Sequence, residues 1–197
     1  MRLTEAVAGR LEGWLDRLGE KVLRWDEAAL EWVSTNSKLG KLEGLWLLAT
    51  FLGDGYLWGL VALYLVVVGG PHEHRVVLTS LGVMMVAVTL FRLFKMLFCR
   101  PRPLELGQLP AGWVLDEQSF PSGHATAGFT AAYLISRFFP GWPVGLVAYT
   151  VAAIIGLSRV YLREHYPSDV VGGALLGTLV AHLMVPVFWQ LVHYPIT

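Results

Sequence analysis

The chain has 197 residues and a formal net charge of zero; 55% of the residues are hydrophobic and only 15% are charged. That charged fraction lies below the roughly one quarter that is usual in soluble domains. A chain of this length also has too small a core to bury so much apolar surface. The composition therefore predicts one membrane domain, residues 1–197. It gives no reason to expect a nucleic-acid partner, and the single cysteine, Cys99, excludes an internal disulfide.

The first 40 residues have the pattern of an amphipathic helix rather than that of a membrane span. Apolar residues recur every three or four positions and form one face: Leu3, Val7, Leu11, Trp14, Leu18 and Val22. We expect one or two helices that lie in the membrane interface within residues 1–40. Packing of this face on a partner subunit is the alternative. Residues 41–197 would then form the transmembrane core.

A membrane-spanning helix needs roughly 20 mostly apolar residues, and five stretches approach this length: 45–68, 76–98, 125–139, 144–161 and 170–192. The first contains Gly53-Asp54-Gly55, so it is either one long helix or a short re-entrant piece followed by a spanning helix. The expected fold class is all-α, an integral-membrane bundle of five to six helices with an amphipathic N-terminal segment. Gly173 and Gly177 favour close helix packing. We expect that packing inside the bundle rather than in a dimer, and the oligomeric state stays open.

Three motifs with charged and hydroxyl residues stand at the ends of these helices. They are Lys95 to Pro103, Pro121-Ser122-Gly123-His124, and Ser158 to Asp169. Consecutive helices alternate in direction across the bilayer. The end of the second stretch, the start of the third, the end of the fourth and the start of the fifth therefore lie on one membrane face. This topology predicts that the three motifs form a single site.

The residue types in the motifs favour a phosphate-binding site. Charges near a membrane are energetically expensive and usually functional. Arg102 and Arg159 can each bind two phosphate oxygens, while Lys95 acts as a compact point charge. Contact of these cations with lipid headgroups is the alternative. Ser122 can cap a helix whose N-terminus is a ready anion site, and Gly123 permits close approach of backbone N–H groups.

Two histidines and one carboxylate add the groups that could move a phosphoryl group. Pro167 argues against a continuous helix through His165 and Asp169, but a turn into a helix N-terminus can bring them together. Asp169 would then accept the proton of one ring nitrogen and leave the other facing phosphorus, as for a nucleophile or a general base. His124 would take the complementary role of general acid.

Together the motifs resemble the signature of the type 2 phosphatidic acid phosphatase superfamily: Lys95-x6-Arg102-Pro103, Pro121-Ser122-Gly123-His124 and Ser158-Arg159-x5-His165-x3-Asp169. The resemblance implies a metal-independent hydrolase of phosphoric esters or diphosphates that needs no cofactor. It implies that His165 forms a phosphohistidine, that Asp169 holds His165 and that His124 protonates the leaving group. The phosphate ligands that it implies are Lys95, Arg102, Ser122, Gly123 and Arg159. Residues 51–55 are similar to a stretch that often precedes the second core helix of membrane members.

For a membrane chain, the resemblance implies a lipid phosphate as substrate and the lipid bilayer as partner. Phosphatidylglycerophosphate, phosphatidic acid, undecaprenyl diphosphate and a lipid A type phosphate all fit. It also implies a multi-pass protein of the inner (plasma) membrane, with its active site open to the periplasm or the exterior. Many members have six spanning helices, whereas the first forty residues here are too polar to span.

Three other functions compete with hydrolysis. A lipid phosphotransferase would pass the phosphoryl group to an alcohol or lipid acceptor. The apolar composition argues against a vanadium haloperoxidase, and the histidine–aspartate set argues against a non-catalytic scaffold. Five charged neighbours of the motifs would either bind a lipid headgroup or pair with one another, and we favour pairing: Arg92, Arg100, Arg163, Glu105 and Glu164.

Overall fold

The computed structural model describes residues 2–103 and 117–193, and within the first helix the side chains of Trp14 and of residues 16–35. The elements follow in this order: α1 (Arg2–Thr35), α2 (Ser37–Gly40), α3 (Glu43–Phe51), a π-helical turn (Leu52–Tyr56), α4 (Leu57–Val68), α5 (Pro71–Phe98), α6 (Gly123–Phe138), α7 (Trp142–Tyr161) and α8 (Pro167–His193). In these residues the backbone forms no strand beyond one isolated bridge, between Pro101 and Gln118. The predicted all-α fold is confirmed.

Four helical segments of the described chain are long and apolar enough to cross a membrane: Glu43–Val68, Pro71–Phe98, Trp142–Tyr161 and Pro167–His193. They overlap the predicted stretches, so the protein is a multi-pass membrane protein. Helix α5 begins earlier than expected because Gly70 N–H donates a 2.8 Å hydrogen bond to the Glu73 carboxylate and Pro71 occupies the first helical position. The predicted stretch 125–139 corresponds to helix α6, which has 16 residues and is not among these four.

The segment Glu43–Val68 contains a kink in its Gly-Asp-Gly stretch, between helices α3 and α4. The kink lies at Gly55, whose φ of 108° is a conformation that favours glycine. At Gly53, an added Cβ would lie 2.7 Å from His124 Cδ2 and 2.6 Å from Ile155 Cγ2. The glycines therefore let this segment turn and approach α6 and α7 closely.

Helix α6 lies at the centre of the bundle, in contact with α5, α7 and α8. Its buried residues are mostly small or hydroxyl-bearing: Ala125, Thr126, Gly128, Thr130, Ala131, Ala132 and Leu134. An added Cβ at Gly177 of α8 would lie 2.2 Å from the Thr126 carbonyl oxygen, and one at Gly173 would lie 2.5 Å from that of Ser122. Both glycines therefore pack inside the bundle, as predicted.

Helix α1 is a single helix through Thr35, and its C-terminal part packs on the bundle. Leu30 and Val33 are buried in a cluster with Val160 of α7. The Asn36 side chain accepts hydrogen bonds from the N–H groups of the next turn and caps α2. Three tryptophans of α1 remain more than half exposed: Trp14, Trp25 and Trp32. Helix α1 thus has one face on the bundle and an aromatic surface away from it.

We expect Gly177→Ala to lower the free energy of unfolding by about 1–3 kcal/mol, the usual cost of overpacking, because the added methyl group meets the backbone of α6. Gly59→Ala in α4 is the matched control, since an added Cβ there has no heavy atom within 4 Å. Unfolding of the detergent-solubilised protein by heat or denaturant measures both. Equal stability of the two variants would contradict the close contact of α6 and α8.

Candidate active site

Four helix ends meet at one end of the bundle, next to the charged end of a cavity of about 1180 Å³. They are the C-terminal ends of α5 and α7 and the N-terminal ends of α6 and α8, as the predicted topology requires. Six of the eight predicted site residues line the cavity: Lys95, Arg102, Gly123, His124, Arg159 and His165. The other two, Ser122 and Asp169, are fully buried behind it.

His165 and Asp169 meet at the turn that connects α7 to α8. The N–H groups of Glu164 and His165 both donate to the Arg159 carbonyl oxygen, and this closes the turn. Asp169 lies in the first turn of α8. His165 Nδ1 is 3.6 Å from Asp169 Oδ2, and both side chains are almost completely buried. The turn therefore places the imidazole beside the carboxylate, although α8 begins only at Pro167.

Asp169 is held in place by groups from two other parts of the chain. Its Oδ2 accepts a 2.8 Å hydrogen bond from Tyr166 N–H, and its Oδ1 accepts a 2.7 Å bond from Arg100 Nη1. The Asp169 carbonyl oxygen accepts a 3.0 Å hydrogen bond from Ser122 N–H. These contacts tie the N-termini of α6 and α8 together, so the carboxylate has a defined orientation toward His165.

Two cations lie on the cavity side of His165. Arg102 Nη1 is 3.5 Å from His165 Nε2, the ring nitrogen away from Asp169, and donates a 3.2 Å hydrogen bond to the Glu164 carbonyl oxygen. Lys95 lies in the last turn of α5, where its Nζ donates a 2.7 Å hydrogen bond to the Gln118 carbonyl oxygen. Arg102 therefore lies beside the Nε2 edge of the imidazole, and Lys95 lines the same cavity.

The Ser122-Gly123 pair begins helix α6. Ser122 is the N-cap, and its Oγ accepts a 3.4 Å hydrogen bond from Ala125 N–H. An added Cβ at Gly123 would lie 3.1 Å from Phe91 Cε2, which leaves little room for a larger residue. Gly123 and His124, the first two residues of α6, line the cavity, so the N-terminus of this helix borders it.

Arg159 shares a buried carboxylate with Arg102. Arg159 Nη1 donates a 2.7 Å hydrogen bond to Thr50 Oγ1, and its Nη2 pairs with the Glu164 carboxylate. Arg102 Nη1 lies 3.6 Å from the same carboxylate. Burial raises the pKa of Glu164, and the two guanidinium groups oppose that shift because they favour the carboxylate. Glu164 therefore offsets part of the positive charge of these two arginines.

His124 lies in the first turn of α6, opposite Asp54 of the π-helical turn. His124 Nε2 is 2.8 Å from Asp54 Oδ1, and the Asp54 side chain is half exposed. Sequence reasoning assigned no role to Asp54. A carboxylate inside an otherwise apolar span was the available signal, because such charges are rarely without a partner.

Three of the five charged neighbours of the motifs form ion pairs, but with partners outside their own set and not with one another. Arg100 bridges Asp26 and Asp169, and Arg163 lies 3.0 Å from Glu31. Glu164 pairs with the two arginines described above. Arg92 lines the cavity, and Glu105 lies outside the described residues. Asp26 and Thr50 are site neighbours that sequence reasoning missed, because α1 and α3 carry no recognisable motif.

Comparison with known proteins identifies the family. The chain is 25% identical over 173 residues to an undecaprenyl-diphosphatase of Sulfolobus acidocaldarius, a match that covers 86% of this chain and 81% of that protein. It is 32% identical over 132 residues to a decaprenylphosphoryl-5-phosphoribose phosphatase of Mycobacterium tuberculosis, which covers 67% of this chain and 72% of that protein.

A solved structure agrees with these relatives. The crystal structure of a transmembrane PAP2 type phosphatidylglycerolphosphate phosphatase from Bacillus subtilis superimposes with a TM-score of 0.67 at 25% identity, over 89% of this chain and 90% of that chain. The family model of the PAP2 superfamily matches residues 76–193, which contain all three motifs. The chain therefore belongs to the PAP2 superfamily, the type 2 phosphatidic acid phosphatases.

Proposed function

We propose that this membrane lipid phosphatase works through a phosphohistidine formed on His165. As a PAP2 member, the chain is a hydrolase of phosphoric esters. One observation carries the proposed mechanism. The His165 ring lies between a carboxylate and a cation, with Nδ1 3.6 Å from Asp169 and Nε2 3.5 Å from Arg102. A ring held by Asp169 on one side presents its other nitrogen to a phosphate bound by Arg102.

The reaction has two steps that balance. His165 Nε2 attacks phosphorus and forms an N–P bond while the P–O bond to the leaving group breaks, and Asp169 stabilises the resulting charged ring through Nδ1–H. His124 gives a proton to the departing oxygen. A water molecule, from which His124 takes a proton, then attacks phosphorus and breaks the N–P bond. Inorganic phosphate leaves, and both histidines return to their starting states.

Five residues would bind the phosphate oxygens: Lys95, Arg102, Ser122, Gly123 and Arg159. The three cations stabilise the negative charge that is spread over the oxygens in the transition state. Ser122 and Gly123 contribute the N-terminus of α6, where N–H groups and the helix dipole favour an anion. A bound phosphate would replace the Glu164 carboxylate as the partner of Arg102 and Arg159.

The shape of the cavity supports a substrate with an apolar tail. From the charged end, the cavity continues along residues of α4 and α5 that are almost all apolar: Trp58, Val61, Ala62, Leu65, Val77, Met84 and Val88. Undecaprenyl diphosphate, phosphatidylglycerophosphate, phosphatidic acid and lipid A type phosphates all combine such a tail with a phosphate. The three relatives reported above are each named as phosphatases, so the transferase alternative gains no support from them.

The proposed location is the inner (plasma) membrane, with the active site open to the periplasm or the exterior. The family resemblance supports this orientation. The proposed organisation is a single domain, residues 1–197, in which residues 1–40 lie in the membrane interface. The exposed Trp14, Trp25 and Trp32 of α1 support an interfacial position, because tryptophan favours the membrane–water boundary.

We expect the purified wild-type protein to release inorganic phosphate from at least one of three lipids (undecaprenyl diphosphate, phosphatidylglycerophosphate and phosphatidic acid), with EDTA present. His165→Ala should lower this rate by about three orders of magnitude or more, as when a nucleophile is removed. His193→Ala, at the opposite end of α8, is the matched control and should keep the wild-type rate. Loss of activity with EDTA, or full activity of His165→Ala, would contradict the mechanism.

We expect Glu164→Gln to strengthen inhibition by inorganic phosphate by about tenfold, which corresponds to ~1.4 kcal/mol. The reason is that Arg102 and Arg159 lose a competing carboxylate. The inhibition constant of phosphate measures this. Glu31→Gln, which removes the exposed partner of Arg163, should leave the constant unchanged. A weaker inhibition in Glu164→Gln would mean that the two arginines do not bind the phosphate.

We expect Asp54→Asn to slow hydrolysis of a lipid phosphate by about 10- to 100-fold, within the range of general acid catalysis, and to affect p-nitrophenyl phosphate much less. The lipid alkoxide needs a proton from His124, whereas nitrophenolate is a stable leaving group. The ratio of kcat/KM values for the two substrates is the measurement, with Glu43→Gln in α3 as control. An equal loss on both substrates would contradict a role of Asp54 in proton donation.

A further inference from the structure

We propose that Asp26, on helix α1 outside all three motifs, is a positioning residue that orients Asp169 and His165 through Arg100. This inference rests on the proposed function, because it concerns the residues that hold the nucleophile. It assigns to the N-terminal helix a part in catalysis in addition to its place at the membrane surface.

Asp26 is a fully buried carboxylate, whereas most of the other described side chains of α1 are exposed. Its Oδ2 accepts hydrogen bonds from Arg100 Nη2 at 2.7 Å and from Ser168 Oγ at 2.5 Å, and its Oδ1 accepts one from Ser168 N–H at 2.8 Å. Burying a carboxylate is unfavourable even when it is paired, and apolar contacts would attach α1 to the bundle at a lower cost. Stabilisation of the fold therefore does not explain why a carboxylate occupies this position.

Arg100 connects Asp26 to the candidate catalytic pair. Its Nη2 donates to Asp26, while its Nη1 donates to Asp169 Oδ1 and to Ser168 Oγ, each at 2.7 Å. The guanidinium carbon lies 4.1 Å from the centre of the Tyr166 ring. The described residues that line the cavity include neither Arg100 nor Asp26. The charge of Arg100 is thus directed at Asp169 and not at the phosphate site.

The charge balance explains why two carboxylates share this arginine. Arg100 alone would neutralise Asp169 and weaken its attraction for the proton on His165 Nδ1. With Asp26 on the other side of the guanidinium, the trio of Asp26, Arg100 and Asp169 keeps a net negative charge next to His165. Asp26 therefore both fixes the orientation of Arg100 and preserves the basicity of the nucleophile.

Other charged or titratable groups also face His165 from the elements around it. Asp169 belongs to α8, and the cavity that His165 lines is also lined by Asp54 of the π-helical turn, Lys95 of α5, Arg102 of the following loop, His124 of α6, Arg159 of α7 and the adjacent Glu164. These groups stay unchanged when Asp26 is replaced. A shift of the pH profile in an Asp26 variant can therefore be attributed to the loss of the Asp26 carboxylate.

The test compares Asp26→Asn with the wild-type protein on the preferred lipid phosphate across pH. We expect kcat to fall by about 10- to 100-fold, by analogy with the loss seen when the residue that orients a metal-binding histidine is removed. The acidic limb of kcat/KM should move to lower pH, because less negative charge remains near His165. Partial misfolding lowers kcat but does not move this limb. Glu20 is an exposed acid on the same helix, so Glu20→Gln should have the kcat and the pH profile of the wild-type protein.

A double-mutant cycle with Arg100→Gln tests whether Asp26 acts through Arg100. If it does, Asp26→Asn should change kcat/KM by less than about twofold in the Arg100→Gln background. If Asp26→Asn alone does not fold, the double variant can still be compared with Arg100→Gln. In the double variant neither charge is left buried without its partner. Equal losses in the two backgrounds, or a single variant with wild-type kcat and pH profile, would overturn the inference. A wild-type protein that releases no phosphate from any lipid would instead overturn the proposed function.

Discussion

Several charged side chains are buried together at one end of an otherwise apolar bundle. Lys95, Arg159, Glu164 and Asp169 are each at most 6% exposed, and an ionised group away from water is unfavourable unless partners surround it. The partners include Gln118 before α6, Thr50 of α3 and Arg102 after α5. Arg100 also connects Asp169 to Asp26 of α1. Pairing of the charges therefore fixes how the helix ends are placed relative to one another.

The small residues of α6 allow the charges to meet. Lipid tails are as apolar as the helices, so burial of apolar surface does not drive helices together inside a bilayer, and close packing and hydrogen bonds take that role. Gly173 and Gly177 bring the α8 backbone against α6, and Thr130 Oγ1 donates to the Gly177 carbonyl oxygen. The same contact brings Ser122 to Asp169. The packing of α6 against α8 therefore also positions residues of the candidate active site.

In the structure described here, protein groups already satisfy the charges that the proposed mechanism uses. The Glu164 carboxylate pairs with Arg102 and Arg159, and Asp54 contacts His124. In the proposed mechanism, a phosphate that enters the site replaces the Glu164 carboxylate at Arg102 and Arg159, so one anion is exchanged for another. The acids nearest to the site have distinct partners: Glu164 contacts the proposed phosphate ligands Arg102 and Arg159, Asp54 the proposed proton donor and Asp169 the proposed nucleophile.

Hydropathy is local and consecutive helices alternate in direction across a bilayer, so four spanning segments and the meeting of the three motifs at one end of the bundle could be predicted from the sequence. The same reasoning predicted that His165, Asp169 and the motif cations lie close together. Which charged groups pair could not be predicted in this way. Asp26 and Arg100 are 74 residues apart in sequence, and Thr50 and Arg159 are 109 apart. Such pairs depend on the relative rotation and depth of packed helices, which hydropathy and motif spacing do not encode.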